Sequence, residues 1–236
     1  MGGGVRFIAN ATKFVLIPSA TIAYWISDNI FNLYKYAKID SIAFSDGQIL
    51  TGDNEKYIRF IWEVSAPTIS KTGNWMFHAK GGDFRRWAGN LNSVVAWDKK
   101  SIEHYKKDKI ARFPKDEILF RKGITWNLIS SYPVFCTRLL TEEQTFNKAA
   151  ATLLFYNDEK VEYTLAFTNT KIATKLMRML NPTLNNNIKD VLALPFIYDK
   201  DKCGIIIPLV EENITISNGD WDVEETSWGF KKHPLI

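Results

Sequence analysis

Between Thr21 and Ala37 the apolar residues Ile22, Trp25, Ile26, Ile30 and Leu33 recur at helical spacing. They predict a core-docking helix, with Trp25 as packing and Ser19 or Thr21 as its cap. Before it, Val5 to Ile17 is short and partly extended, and Pro18 ends it. Ile39 to Phe44 is strand-like. Thr51-Gly52-Asp53-Asn54 is a turn rich in hydrogen-bonding side chains. Tyr57 to Val64 alternates, with Ile58, Phe60 and Trp62 opposed to Tyr57, Arg59 and Ile61, and predicts a strand. Val94–Trp97, Ile118–Phe120 and Gly123–Trp126 predict further strands, and 101–110 a solvated, lysine-rich helix face. Ala149–Phe155 fits helix or strand. Val161 to Leu180 has helical spacing, with Asn169-Thr170 as a break and Asn181-Pro182 as the stop. Ile188–Leu194 is a short segment, Ile205–Pro208 a buried strand or helix entry, and the acidic, aromatic tail from Asp220 to Pro234 packs elsewhere on the fold or on a neighbour. The pattern as a whole predicts an α+β fold, with mixed or antiparallel sheets and packed helices.

Composition narrows this. The 236 residues are 46% hydrophobic and 24% charged, enough to bury one large core or two small lobes, about 19–137 and 138–236. Residues 1–18 read as a connector from an upstream region. The net charge of +4 excludes a uniformly basic coat, but the distribution is uneven. Residues 71–122 hold 13 Lys/Arg against 6 Asp/Glu, a balance of +7; from Asp199 onward there are 8 acidic and 4 basic residues, a balance of −4. Such asymmetry favours one electropositive face that meets a polyanion. Cys136 and Cys203 have no CxxC or histidine spacing and read as reduced thiols of a cytoplasmic protein. Phe14 to Ile30 is interrupted by Pro18 and Asp28, so it does not span a bilayer, and no membrane partner is expected.

The motifs for several chemistries are missing. His78, His104 and His233 lie far apart, none with a ligand partner at i+3 or i+4, so no metal site is expected. There is no Gly-x-Ser-x-Gly, no Ser-x-x-Lys and no P-loop. Asp158-Glu159-Lys160 has the wrong spacing for a metal-dependent nuclease. Asn181-Pro182-Thr183-Leu184 lacks the second proline and the aromatic of an amino-methyltransferase motif and reads as a helix stop. Binding is what remains. Lys80-Gly81-Gly82-Asp83-Phe84-Arg85-Arg86-Trp87-Ala88-Gly89-Asn90 joins three cations, two aromatic rings and three glycines. Lysine and arginine meet phosphates, arginine forks onto guanine, and Asn pairs with adenine. A solvated turn anchored by Phe84 and Trp87 accounts for the same residues.

Five blocks together resemble a known family. They are Thr51-Gly52-Asp53-Asn54 with Arg59 and Trp62-Glu63-Val64, the Lys80–Asn90 segment, Gly123-Ile124-Thr125-Trp126, Leu180-Asn181-Pro182-Thr183-Leu184-Asn185, and Asp220-Trp221-Asp222 through Glu225-Thr226-Ser227-Trp228. In order and spacing they resemble the part of PglX-like adenine-specific DNA methyltransferases of BREX phage-exclusion systems that lies after the catalytic domain. More loosely the chain is similar to the specificity halves of Eco57I-like and MmeI-like restriction-modification enzymes. The resemblance runs from about Ile22 to Ile236. It implies a target-recognition domain that holds double-stranded DNA while a separate catalytic domain methylates adenine with S-adenosylmethionine. This chain matches none of the catalytic blocks and is not expected to methylate alone; the catalytic domain and other defence-system subunits are its expected partners. On this reading Thr51, Asn54, Lys56 and Arg59 contact DNA from the first turn, Lys80, Arg85, Arg86 and Asn90 from the basic loop, and Thr125, Ser130 and Arg138 from beyond it. Lys56, Lys80 and Arg138 meet phosphates, and Arg85 or Arg86 reads a base edge. Asn147-Lys148-Ala149-Ala150-Ala151-Thr152 departs from the family's Asp-x-(Ala/Gly)-Gly-Ser-like turn, and Gly229 stands where an Asp is frequent. The rival reading is a protein-interaction subunit that completes a split methyltransferase or docks an acidic partner.

Overall fold

Two four-stranded sheets share the chain. The computed structural model describes residues 11–18, 22, 26–232 and 235. The first sheet is antiparallel, in the order β1 (Ala43–Phe44), β8 (Ala150–Phe155), β5 (Gly123–Asn127), β6 (Arg138–Leu140). The second runs β2 (Ile58–Phe60), β4 (Ser93–Ala96), β3 (Trp75–Ala79), β7 (Gln144–Phe146), with β3 and β7 parallel. Strand pairing in both sheets crosses residue 137. The fold class is α+β, as the pattern predicted.

β8 is buried at every position, which is why its unbroken apolar run gave no period. It is the centre of the first sheet. Ile124 and Trp126 of β5, Leu153 and Phe155 of β8, and Phe135 form a core with the helices α4 (Val161–Thr168), α5 (Lys171–Leu180) and α6 (Ile188–Leu192). Trp126 is wholly buried, and its indole N–H donates to the carbonyl of Asn186 at 2.8 Å. Ala79, Leu140, Phe146, Ala150 and Leu154 tie the two sheets together. The second sheet packs through Met76 and Val95 on Tyr105 of α3 (Lys99–Lys107), whose N-cap Asp98 accepts from the backbone N–H groups of Lys100 and Ser101. The predicted break in the long helical stretch is real: α4 ends at Thr168, and Thr170 caps α5 by accepting from Ala173 N.

Five expectations change. The first helix is only Asp28–Leu33 (α1), and Trp25, Ser19 and Thr21 lie outside the described residues, as do the first ten residues, with Val5, and His233. Residues Ala11–Leu16 form a 3-10 helix and not an extended segment. Tyr57–Val64 is not one strand: Asp53 caps a short helix α2 (Asn54–Tyr57), β2 covers three residues, and Ile61–Glu63 turns as a 3-10 helix. Ile118–Phe120 is a turn, with Phe120 at φ 57°. Finally, Ile205–Pro208 takes the helix-entry alternative, in the first turns of α7 (Cys203–Trp221), but is not buried: Ile205 is 69% exposed while Ile206 is half-buried against the core. The apolar run suggested burial because sequence does not show which side of a helix is covered.

β3 also carries a pH-sensitive group. His78 is buried, with Nδ1 2.8 Å from Thr145 Oγ1, and burial, helped by the charge of Lys80, pushes its pKa down to about 3. The unfolded chain takes up a proton near pH 6.5 and the folded one does not. Stability is therefore complete above that pH and falls as pH drops from there toward 3. Chemical denaturation at pH 7 and pH 5 should show the wild type losing midpoint at pH 5 and His78→Gln losing less.

Candidate nucleic-acid interface

At the end where β3 and β5 stop and the β7–β8 turn begins, three clefts join into one trough. The first, about 210 Å³, is lined by Asn54, Glu55, Ile58, Arg59, Phe60, Glu63, Lys80 and Ser93. The second, about 420 Å³, shares Asn54 and Lys80 with it and adds Gly81, Gly82, Asn127, Ile129, Asn147 and Lys148. A third, about 320 Å³, shares Gly82, Asn127 and Ile129 and continues to Phe84, Ser130 and Tyr132. Among the described residues neither Lys80 nor Lys148 has a carboxylate partner. Two cations thus stand in the trough with their charge uncompensated.

The basic loop forms the wall between this trough and the rest of the fold. Gly81 and Gly82 take φ of 90° and 133°, and a Cβ on Gly82 would lie 2.9 Å from the side chain of Asn90. Asn90 is itself buried and donates to Asp83 O at 2.7 Å, closing the turn. Asn127, at the end of β5, donates to Gly82 O at 2.5 Å while Arg138 Nη2 donates to Asn127 Oδ1 at 2.9 Å. Trp87 pairs its backbone with the outer edge of β6, through Thr137 O at 2.9 Å and Leu139 N at 2.8 Å. From the tail, Ser217 Oγ lies 2.8 Å from Arg86 O, and Arg85 reaches Asp220 at 2.5 Å with its guanidinium 5.0 Å from the Trp221 ring. The acidic, aromatic tail therefore packs on the basic loop.

The structure sorts the candidate residues by depth. Asn54, Arg59, Lys80 and Ser130 line the trough, and Lys56 is exposed beside it with its ammonium 5.0 Å from the Tyr57 ring. Thr51 is buried and donates to Asn54 Oδ1 at 2.9 Å, which engages the amide oxygen and leaves the NH₂ as the free donor end. Thr125 is buried too, bonded to Ala151 O at 3.0 Å. Arg85 is occupied by Asp220 and Trp221. Arg86 lies over Phe84 at 5.8 Å. Arg138 is 3% exposed, and burial pulls its guanidinium down to about 10, so it is still charged at neutral pH. It stands behind the surface, where the sequence had placed it among phosphate contacts, because β6 turns its side chain toward Asn127.

Sequence reasoning missed Asn127 and Lys148. Asn127 directly follows the Gly123–Trp126 block, and an Asn at a strand end was the signal for it. Lys148 sits in the departing turn, which Asn147 closes without glycine by accepting from Ala149 N at 2.9 Å and Ala150 N at 3.2 Å. If Arg138 acts by holding Asn127, Arg138→Ala should loosen Gly81–Asp83. Amide exchange there should speed up, at a stability cost of about 1–3 kcal/mol for the unsatisfied partner, and duplex affinity should fall with no change in salt slope.

These features define an α+β domain with a lysine-bearing polar trough. The relatives it matches are adenine-specific methyltransferases by name. Over 242 residues it is 28% identical to the adenine-specific methyltransferase PglX of Lacticaseibacillus casei (strain Zhang), a match covering 95% of this chain and 20% of the relative. Over 229 residues it is 28% identical to the adenine-specific methyltransferase BrxX of Escherichia coli O9:H4 (strain HS), covering 94% and 18%. The chain thus spans about a fifth of the length of the curated relatives it matches. No family model matches it. Among the described residues no helix is long and apolar enough to cross a membrane.

Proposed function

We propose that the trough binds double-stranded DNA, as the sequence-specifying part of an adenine-specific (N6) DNA methyltransferase. The observation that carries this reading is the pair of uncompensated lysines, Lys80 and Lys148, in a trough whose donor Asn54 is held in orientation by Thr51. Lys80, Lys148 and Lys56 meet phosphates, and Asn54 reads a base edge. Arg85, Asn90 and Arg138 hold the loop in shape instead of touching DNA, and Thr125 is tied to β8 through Ala151 O. Similarity to regions of PglX and BrxX supports the setting. S-adenosylmethionine and the methyl transfer belong, on this reading, to another part of such an enzyme. The glycine pair after β3 opens an irregular loop and not a helix, so it offers no cofactor cradle. Duplex binding measured against salt tests the proposal. A log–log slope of about −2 or steeper, at roughly −0.9 per phosphate, supports it; no binding at low salt overturns it.

A second reading, a protein-interaction subunit, has one observation in its favour. A groove of about 530 Å³ between α4, α5 and α7 is almost wholly apolar, lined by Trp87, Phe167, Ile172, Ile197, Ile206 and Leu209. Because the relatives are about five times longer, its occupant on this reading is the methyltransferase catalytic region. Tight binding of that region together with no affinity for duplex DNA would favour this reading over the first.

A further inference from the structure

Phe60 and Trp62 stand at the mouth of the first cleft with their rings 4.5 Å apart and only 5° from parallel. They are 45% and 52% exposed, while Ile61 between them is buried. Two large aromatics held parallel in water at the end of an edge strand need a reason, since such an edge invites unwanted pairing. The other stack in the trough, Phe84 on Tyr132 at 4.4 Å, has Arg86 over one ring. Among the described residues no cation and no other ring lies on Phe60 or Trp62.

The cleft beside them shares Lys80 with the centre of the trough but adds two carboxylates. Glu55 and Glu63 line it, and they repel a phosphate. Glu63 accepts from Phe60 N at 2.6 Å through one oxygen, and Arg59 is folded back onto the carbonyls of Glu55 and Ile58, at 2.5 and 2.7 Å. The remaining carboxylate oxygens are acceptors, and the NH₂ of Asn54, which also lines this cleft, is a donor. Acceptors, one amide and a flat apolar face, next to a phosphate-binding lysine, suit the edge and face of a nucleobase.

We infer that this cleft takes a single unstacked base bearing an exocyclic amino group (adenine, cytosine or guanine, not thymine), stacked on Phe60–Trp62 and donating that group to Glu55 or Glu63. Lys80, shared with the neighbouring cleft, holds the adjoining phosphate. The inference rests on the trough being a DNA site, and extends it from intact duplex to one extrahelical base.

The test uses the full chain and fluorescent duplexes of one sequence, intact or carrying a single bulged A, C or T. The A and C bulges should bind about ten-fold tighter than the intact duplex, as base–aromatic stacking supplies, and should quench tryptophan emission. The T bulge, lacking the amino group, should bind about five-fold more weakly than the A bulge, in the range of one base-edge contact. Phe60→Ala/Trp62→Ala should erase the bulge preference, Trp62→Tyr should keep it, and thermal melts should confirm that the variants fold. Equal affinity for bulged and intact duplexes overturns the inference and leaves the trough reading standing. So does an aromatic variant that loses both substrates equally. Failure to bind any duplex removes both.

Discussion

Changing Lys80 and Lys148 together to alanine is expected to weaken duplex binding by about 10–100-fold at roughly 0.1 M salt, because a phosphate without its lysine keeps its condensed counterions. The log–log salt slope should become shallower by about 1.8, at about 0.9 per phosphate. Fluorescence anisotropy at several salt concentrations measures both quantities at once. The lysines carry the prediction because they are uncompensated. A lysine already paired with a carboxylate would release fewer ions on binding, and its removal would move the slope little. Lys107, paired with Glu103 in α3, is the control: Lys107→Ala should leave affinity and slope within about two-fold of the parent. If the slope stays the same after both trough lysines are removed, phosphates do not lie there.

The second large effect is on stability. Trp126→Ala removes a wholly buried indole and leaves the carbonyl of Asn186 without its donor. The expected cost is about 3–5 kcal/mol, the range for emptying an aromatic site in a core. Calorimetry should show a fall in Tm on the order of 10 °C. The cost is high because Trp126 sits in β5 between two strands and beneath the helices. No neighbour is free to collapse into the space. Asn186, which Trp126 holds, also donates to the carbonyl of the trough-lining Asn127 at 3.2 Å, so duplex affinity measured below the new Tm should fall as well.

The elements that sequence made legible are those whose local chemistry is strong. Val94–Trp97 and Gly123–Trp126 are short β-branched runs between turns, and both are strands in the structure. Asn169-Thr170 broke the helix because Thr170 is an N-cap and accepts as one. Tyr57–Val64 misled because its alternation is real while its backbone is not extended throughout. Asp53 and Glu63 each capture a nearby backbone N–H and bend the two ends. In the candidate site, residue type does not give depth. Lys80 and Asn54 are at the surface, but Arg138 and Thr125 are behind it, and that distinction depends on partners tens of residues away. Asn127 carried a strand-end signal, but its partners, Gly82 and Arg138, are 45 and 11 positions away and did not show in the sequence.

That dependence has a consequence for how the surface is made. The loop at residues 80–90 is fastened by Asn127, by the edge of β6, and by Ser217 and Asp220 near the end of α7. During synthesis the loop leaves the ribosome more than a hundred residues before its last two fasteners. A nascent chain, or one cut short before α7, has the lysines and arginines in order but not the clamp that sets them. Completion of α7 therefore adds the last two fasteners: Ser217 and Asp220 reach the 80–90 loop only in a chain translated through residue 220.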